Sequence, residues 1–195
     1  MSLVAVDLPG ADVRYDARAI TPSRAAGLFV ALREQIVWQR HRLKLFGREI
    51  DAPRLSSWIG DADAIYTYSR TRFEPLPWTP VLASLRDELR ERLGFDFNSV
   101  LANRYRDGRD SMGWHSDDER ELGPQPVIAS LSFGAARRFR LRGRNPAPSM
   151  LAIDLEPGSL LLMGGDTQLN YQHDLPKTAR LVGERINLTF RRILR

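Results

Sequence analysis

The sequence contains no cysteine, which excludes a disulfide framework and any metal site built from thiolates. It also lacks a long apolar run, since no stretch approaches the roughly 20 residues that a membrane-spanning helix needs. Residues 1–9 show no charged segment followed by an apolar one, so no signal peptide is expected. From these absences we expect a cytoplasmic protein with no membrane partner.

What the chain does contain is the composition of an ordinary globular protein. Its 195 residues are 43% hydrophobic and 27% charged, which fits one domain with a full hydrophobic core. The formal net charge of +5 is compatible with a polyanionic partner, although many basic proteins bind nothing anionic. No internal repeat, low-complexity tract or boundary between domains is visible, and we expect a monomer.

Histidine is scarce, with His41, His115 and His173 the only ones in the chain. Without cysteine, imidazole and carboxylate groups are the strong side-chain ligands that remain for a metal. His115 and Asp117 are two positions apart, so in an extended segment both point to the same face. With His173 they would offer two nitrogens and one carboxylate oxygen to a metal, which is typical of non-haem Fe(II) oxygenases. Alone the pattern is weak, because it arises by chance in many proteins where such residues are solvated or buried in the core.

The segment 185–191 alternates without a break between polar and apolar residues. A surface strand with its polar face in water alternates in the same way. Two details favour a binding strand: asparagine is depleted from strands, and arginine is the usual choice for a bidentate grip on a carboxylate. Two arginines on one face would suit an acidic co-substrate beside the metal. The polar face carries Arg185, Asn187, Thr189 and Arg191, and the other face carries Ile186, Leu188 and Phe190.

A second alternating segment, 137–144, is rich in arginine. Arg138, Arg140 and Arg142 would share one face of a strand, with Phe139 and Leu141 on the other. A row of arginines along a strand matches contacts that follow a phosphate backbone. A solvated outer face of a sheet is the alternative interpretation, and the sequence leaves both open.

Two helices are predicted in the first half of the chain. Thr21-Pro22 is a typical N-cap and first helical residue, and the helix is expected to run to about Trp38. Thr79-Pro80 repeats this signal before an apolar stripe that ends at Gly94, a residue typical of the position after a helix. Both helices are expected to pack against one face of a sheet. The stripe consists of Leu82, Leu85, Leu89 and Leu93.

From Phe97 onward the pattern changes to short strands separated by glycine, proline and aspartate. So many short strands predict an α+β or mostly β protein whose core over residues 97–195 is a jelly roll (double-stranded β-helix) or a double-sheet barrel. The helices before it are expected to support this core, and 143–149 is expected to be a loop. The predicted strands are 99–106, 127–134, 137–142, 150–155, 159–163, 170–174 and 184–193.

Three motifs follow one another in the second half of the chain. The first runs from Asn103 to Glu119 and contains Gly-Trp-His115-Ser-Asp117; the second is His173; the third is Arg185-x-Asn-x-Thr-x-Arg191. Together they resemble the AlkB family of Fe(II)- and 2-oxoglutarate-dependent dioxygenases, most closely the members that repair duplex DNA. The resemblance covers about residues 40–195. It implies a single dioxygenase domain over 1–195, with an N-terminal extension and first helix in about 1–40 and a nucleotide-recognition region in about 40–75.

The resemblance also implies roles for individual residues. His115, Asp117 and His173 match the iron ligands and so the catalytic centre, and Arg185 matches the arginine that pairs with the distal carboxylate of 2-oxoglutarate. Arg191 matches an arginine that the resemblance places on the iron. The further co-substrate contacts are expected at Asn103, Tyr105 and Asn187. Fe(II), 2-oxoglutarate and O2 are therefore the expected cofactors.

Contacts to the substrate are implied in the same way. Asp118 and Glu119 would favour cationic bases such as 1-methyladenine and 3-methylcytosine, although a solvated acidic turn is the alternative. A base within a duplex must be flipped out to reach the iron, and aromatic stacking offsets part of that cost. Phe46 matches the wedge that fills the gap, although a buried phenylalanine in a hairpin is the simpler interpretation. The other expected substrate contacts are Tyr66, Tyr68, Ser69, Arg54, Arg138 and Arg140; the tyrosines could equally be ordinary sheet residues.

The implied function is oxidative dealkylation of N-alkylated bases in DNA, with release of succinate, CO2 and formaldehyde. The segment Lys177-Thr-Ala-Arg180 carries fewer basic residues than duplex-repairing relatives have there, which argues against a strong preference for duplex DNA. The residues do not decide whether the substrate is DNA or RNA, whether it is single- or double-stranded, or which lesion is preferred. A hydroxylase of a protein or small molecule and a non-catalytic nucleic-acid-binding module remain as alternatives.

Overall fold

The computed structural model describes residues 3–45, 48–68, 71–144 and 150–194, without the side chains of 43–45, 48–50, 66–68 and 71–73. Its helices are α1 (Pro22–Gln35), α2 (Pro80–Leu93) and α3 (Thr167–Asn170), with a 3-10 turn at Arg120–Leu122. Its strands are β1 (Val4–Ala5), β2 (Asp12–Asp16), β3 (Arg42–Leu45), β4 (Arg48–Asp51), β5 (Leu55–Gly60), β6 (Tyr66–Tyr68), β7 (Thr71–Phe73), β8 (Ser99–Tyr105), β9 (Met112–His115), β10 (Ile128–Gly134), β11 (Arg137–Gly143), β12 (Met150–Leu155), β13 (Leu160–Gly164), β14 (Tyr171–Leu175) and β15 (Arg185–Arg191).

Both long helices begin at the predicted caps. Thr79 Oγ1 accepts a hydrogen bond from the backbone N–H of Leu82 at 3.4 Å, and α2 ends at Gly94 with φ +74°, as predicted. Helix α1 ends at Gln35, three residues before Trp38, so the predicted end was too late. The indole Nε1 of Trp38 donates to the carbonyl of Arg33 at 3.1 Å and satisfies one of the carbonyls that a helix end leaves open.

The β-strands form two sheets of a double-sheet jelly roll, and two separate hairpins. The major sheet has seven strands in the order β1-β2-β13-β10-β15-β8-β5, and the minor sheet has four in the order β12-β11-β14-β9. Every pairing between neighbouring strands is antiparallel. Strands β3 and β4 form one hairpin, and β6 and β7 form the other.

The β-core extends beyond the expected range of 97–195. Strands β1, β2 and β5 lie before Phe97 and belong to the major sheet, where β2 pairs with β13 and β5 pairs with β8. Strand β9, which leads to His115, was also missing from the predicted strands. Strands β1 and β9 have two and four residues, and β5 carries two buried serines, which weakens their apolar pattern. Strand β2 does alternate between polar and apolar residues over Asp12–Asp16, and this signal was missed.

The major sheet is covered on both faces. Helices α1 and α2 pack on its outer face, where Leu32, Leu82 and Leu85 join Ile186 and Phe190 in one buried cluster. The inner face meets the minor sheet in a second cluster that includes Ile128, Leu161 and Met163 from the major sheet and Phe139, Leu141 and Leu155 from the minor one. Strand β15 is central in the major sheet, and all seven of its residues are buried. Among the described residues, no helix has the length and apolarity needed to cross a membrane.

Candidate metal and co-substrate site

Three potential metal ligands meet on the inner face of the minor sheet. His115 ends β9 and lies opposite His173 in the pairing of β9 with β14, at a point where the register shifts. Asp117 follows two residues after His115. The Nε2 atoms of both histidines lie 3.9 Å from the Asp117 carboxylate oxygens, and one nitrogen or oxygen atom from each residue falls within 4.8 Å of the other two. The structure therefore brings together the three residues singled out in the sequence.

Both histidines are held in the form that binds metals. Nδ1 of His115 contacts the carbonyl of Gly113 at 2.8 Å; a carbonyl can only accept, so Nδ1 carries the proton and Nε2 is left as the donor atom. Burial lowers the pKa of His115, and burial together with the neighbouring His115 lowers the pKa of His173 to about 3. Neutral imidazoles are the form that ligates a metal ion.

Asp117 is ionised although it is buried. Burial raises the pKa of Asp117, but the guanidinium of Arg191 and the two imidazoles lower it by more. The net pKa is therefore below its ordinary value. Nη2 of Arg191 donates to Asp117 Oδ1 at 2.8 Å, and the Asp117 backbone N–H donates to Gln168 Oε1 at 2.9 Å. Arg191 therefore contacts the carboxylate instead of offering itself to a metal, because a protonated guanidinium has donors and no lone pair. The expected direct contact between Arg191 and the iron is therefore replaced by a hydrogen bond from Arg191 to the proposed ligand Asp117.

Arg185 is the buried cation of the site. Its side chain is 1% exposed, and Nη2 donates to Ser132 Oγ at 3.0 Å. Within the described residues Nε and Nη1 have no hydrogen-bond partner, and the guanidinium has no ion pair with a carboxylate. Burial lowers its pKa to about 10, so it is still charged at neutral pH. Because an unpaired buried charge is costly, these N–H groups fit an anionic ligand such as the distal carboxylate of 2-oxoglutarate.

The cavity next to these groups contains the remaining expected co-substrate residues. Asn103 Oδ1 accepts from Arg54 Nε at 2.8 Å, so the Asn103 amide group has its oxygen directed to Arg54. Asn187 also lines the cavity, but its Nδ2 donates to Ser130 Oγ and to the carbonyl of Leu131. The residues that line the cavity are Leu101, Asn103, Tyr105, Met112, His115, Asp117, Ser130, Phe139, Met163, His173, Asp174, Leu175, Arg185, Asn187, Thr189 and Arg191.

The alternative interpretation of residues 185–191 as a surface strand is wrong. Arg185 and Arg191 are 1% and 3% exposed, and the apolar face of the strand packs under the helices. Ser130 and Ser132, which supply partners for Asn187 and Arg185, were missed in the sequence. A signal was present, because they are two positions apart in an otherwise apolar strand and so mark a polar layer on one face.

The expected substrate contacts either lie outside this cavity or have side chains that the structure does not describe. Arg54 is buried and bound to Asn103, and Asp118 is ion-paired with Arg144. Glu119 is partly buried near the 3-10 turn. Arg138 and Arg140 lie on the outer face of the minor sheet, where they pair with Asp154 and Asp174. Phe46 and Ser69 lie outside the described residues, and for Tyr66 and Tyr68 only the backbone of β6 is described.

Comparison with known proteins bears directly on this arrangement. Residues 12–191 match the family model of the 2OG-Fe(II) oxygenase superfamily. The alpha-ketoglutarate-dependent dioxygenase alkB homolog 3 of Rattus norvegicus is 47% identical over 150 residues, which cover 72% of this chain and 50% of that protein. The DNA oxidative demethylase ALKBH2 of Mus musculus is 44% identical over 160 residues, which cover 78% of this chain and 67% of that protein.

The chain thus spans about half to two thirds of the length of these relatives. The solved structure of OsALKBH1 superposes with a TM-score of 0.61 at 16% identity, covering 98% of this chain and 100% of that one. At that identity the likeness shows the fold alone. Fe(II), 2-oxoglutarate and O2 are the requirements of the matched superfamily, and the His-Asp-His group and Arg185 suit them. The chain belongs to the 2OG-Fe(II) oxygenase superfamily and, within it, to the AlkB family.

Proposed function

We propose that this protein is an Fe(II)- and 2-oxoglutarate-dependent oxidative dealkylase of N-alkylated nucleobases in DNA. The observation that carries the proposal is the group of two neutral histidines and one ionised aspartate beside a buried arginine with unfilled N–H groups. Similarity to a protein named DNA oxidative demethylase ALKBH2 supports the choice of substrate. The substrates are then bases of the 1-methyladenine and 3-methylcytosine type, and the products are the repaired base, formaldehyde, succinate and CO2.

In this proposal His115, Asp117 and His173 hold the metal, His115 through Nε2. Bound Fe(II) with 2-oxoglutarate supplies the activation of O2 and the oxidation of the alkyl carbon. The protein contributes a fixed and correctly charged ligand set. Arg191 keeps Asp117 ionised and orients its carboxylate through the 2.8 Å hydrogen bond, leaving Oδ2 near His173.

Arg185 then orients the co-substrate. Its two nitrogens without partners, Nε and Nη1, would donate charge-assisted hydrogen bonds to the distal carboxylate, in a cavity that Asn103 and Tyr105 also line. Because Arg185 lies in a central strand buried on both faces, its position is fixed before the ligand arrives. That rigidity reduces the entropy lost on binding and presents one end of the 2-oxoglutarate molecule to the metal.

The nucleic-acid partner is the finer part of the proposal. A basic chain with arginines on the outer face of the minor sheet has the charge that phosphate contacts require. Asp118, Tyr66, Tyr68 and Ser69 are proposed at the base, together with Glu119 and Arg54, and Phe46 is proposed as the wedge. A monomeric state and a cytoplasmic location stay predictions of the sequence.

The proposal is tested by loading the protein with Fe(II) and 2-oxoglutarate without oxygen. The complex is then exposed to air with oligonucleotides that carry 1-methyladenine, 3-methylcytosine or an etheno adduct. Formaldehyde and succinate should appear in equal amounts with a methylated oligonucleotide, and Asp117→Ala should release neither. Succinate release that methylated DNA or RNA does not stimulate would contradict the proposed substrate and point to a protein or small molecule instead.

A further inference from the structure

Arg137, at the start of β11, is a buried arginine that the proposed function does not use. Its side chain is 4% exposed, and in the described part of the chain it forms no ion pair with a carboxylate. Its guanidinium instead donates to three backbone carbonyls. Nη1 donates to Asp107 at 3.0 Å, and Nη2 donates to Asp110 at 2.9 Å and to Pro176 at 2.8 Å.

These carbonyls belong to segments that carry site residues. The first two lie in the turn between β8, which ends at Tyr105, and β9, which ends at His115. The third, in Pro176, follows His173 by three residues, just after β14. One side chain therefore joins the connection between the two sheets to the exit of the strand that carries the second histidine. A buried group that makes three hydrogen bonds to separate segments restricts their relative movement.

The same guanidinium lies close to the co-substrate cavity. Cζ of Arg137 is 5.9 Å from the centroid of the Tyr105 ring, and Cζ of Arg185 is 5.2 Å from it. Both cations are thus within the range of a cation–π contact with one ring. The positive charges of Arg137 and Arg185 also repel each other, and an anion bound at Arg185 would relieve this repulsion. Arg137 therefore contributes both to the position of Tyr105 and to the positive potential of the cavity.

We propose that Arg137 is a positioning residue for the dicarboxylate co-substrate. It holds Tyr105 beside Arg185 and fixes the turn between β8 and β9, without touching the ligand itself. The inference rests on the proposed function, because it assumes that the cavity beside Arg185 takes 2-oxoglutarate. Loss of the Arg137 side chain should weaken the binding of 2-oxoglutarate more than it lowers the rate at saturating 2-oxoglutarate.

The test compares Arg137→Met and Arg137→Lys with the control Arg14→Met. The control removes an arginine of β2 that is about half exposed and paired with Asp12, away from the site. The measurements are kcat and KM for 2-oxoglutarate from succinate release. Alongside them, calorimetry gives the 2-oxoglutarate affinity of the Mn(II)-loaded protein without oxygen or oligonucleotide, and a melting curve gives Tm.

Arg137→Met should raise both KM and Kd for 2-oxoglutarate about tenfold, the usual size for the loss of a group that supports a binding residue. Its kcat at saturating 2-oxoglutarate should stay within a factor of about two, because Arg137 touches none of the metal ligands. Arg137→Lys, which keeps the charge and some donors, should lie between wild type and Arg137→Met. Arg14→Met should match wild type.

An unchanged Kd in Arg137→Met, or a lower kcat with an unchanged KM, would overturn the proposal and leave a purely structural arginine. If Arg137→Met does not fold, Arg137→Lys decides, since an unchanged Kd in that variant also overturns it. A wild-type protein that binds Mn(II) but no 2-oxoglutarate would refute the proposed function itself. Failure of the proposed function is distinguishable from failure of this inference, because it appears in the wild-type protein before any variant is compared.

Discussion

Two strands of this protein alternate between an apolar face and a polar face that carries a row of arginines, and the two rows have different surroundings. In β15, Arg185 and Arg191 face the cavity between the sheets and are almost completely buried. In β11, Arg138 and Arg142 are exposed and Arg140 is partly exposed on the outer face of the minor sheet. Both strands alternate between polar and apolar residues, and the difference in exposure comes from the layer that covers each polar face.

Their partners differ as well. On the outer face, Arg138 and Arg140 are neutralised by aspartates of the neighbouring strands, Asp154 and Asp174. In the buried row, Arg191 pairs with a ligand carboxylate, and Arg185 has none within the described residues. An exposed arginine can use water, so its carboxylate partner is optional, whereas a buried one needs protein acceptors or a bound anion for its N–H groups. The comparison indicates that a buried arginine whose N–H groups lack acceptors, as in Arg185, marks a binding site.

Arg142 is the exception in the outer row. It donates to the neutral oxygen Gln172 Oε1 at 2.9 Å and 3.2 Å, and its guanidinium lies 4.2 Å from the centroid of the Trp114 ring. No ion pair with a carboxylate is found for it in the described residues, so its positive charge is not cancelled locally. If the row follows a phosphate backbone, one of the two interpretations that the sequence left open, the contact is therefore expected to depend most on Arg142.

The largest expected effect is that of Arg191→Met. It leaves Asp117 buried without its cation, and breaking such a pair costs about 3–5 kcal/mol. The pKa of Asp117 should rise, so the variant should lose both metal affinity and turnover. Chemical unfolding and Fe(II)-dependent succinate release measure these losses. The matched change in the outer row, Arg138→Met, should alter neither, because both partners of that pair are about half exposed. Equal losses in the two variants would remove the contrast between the rows.

Arg185→Met should act on the ligand and spare the fold. Loss of the charge-assisted bonds to 2-oxoglutarate should weaken its binding by roughly 1.5–3 kcal/mol, or about 10- to 150-fold. The melting temperature without 2-oxoglutarate should not fall, because the variant removes a buried cation that has no anionic partner. Thermal melting with and without 2-oxoglutarate measures both effects. If the co-substrate affinity is unchanged, the assignment of this arginine is wrong.

Within the outer row, Arg142→Met should affect nucleic-acid binding most. It should lower the slope of log affinity against log salt concentration by roughly 1, the amount expected for one lost phosphate contact. Arg138→Met should lower the slope less, because Asp154 already compensates that charge. Binding of an unmodified oligonucleotide at several salt concentrations gives the slopes. A larger change for Arg138 than for Arg142 would show that local pairing does not decide which arginine meets phosphate.

The smallest effect is expected for Asp118→Asn. Its carboxylate pairs with Arg144 and is about half exposed, so its influence on a cationic base is screened. The preference for 1-methyladenine over a neutral methylated base should fall by less than about threefold, as for other exposed charges. Competition between two oligonucleotides measures this ratio. A loss of more than tenfold would place the carboxylate at the base despite its pairing.

Several features followed from local sequence. The alternation at 185–191 predicted which side chains share a face, and the caps Thr79-Pro80 and Gly94 predicted both ends of α2. Each of these depends on contacts within a few residues. The spacing of His115 and Asp117 predicted a shared direction, and the two side chains do meet.

Other features depended on partners that are distant in the chain. Arg54 and Asn103 are 49 residues apart, and the sequence offered no sign that one orients the other. Arg137 stands beside three similar arginines, and only its position at the inner face makes it a buried donor to carbonyls 27 to 39 residues away. Strands β2 and β5 join the major sheet by pairing with β13 and β8, which lie far from them in the chain.

The sequence by itself determined the elements, the shared faces and the residue types of the ligand set, because alternation, capping and turn chemistry act over a few residues. Only the tertiary structure decided which arginines are buried and which carboxylates pair with them. Burial is a property of the layers on either side of a strand, and the pairing of distant segments creates those layers. An alternating strand with arginines on its polar face therefore forms part of the surface in β11 and part of the binding site in β15.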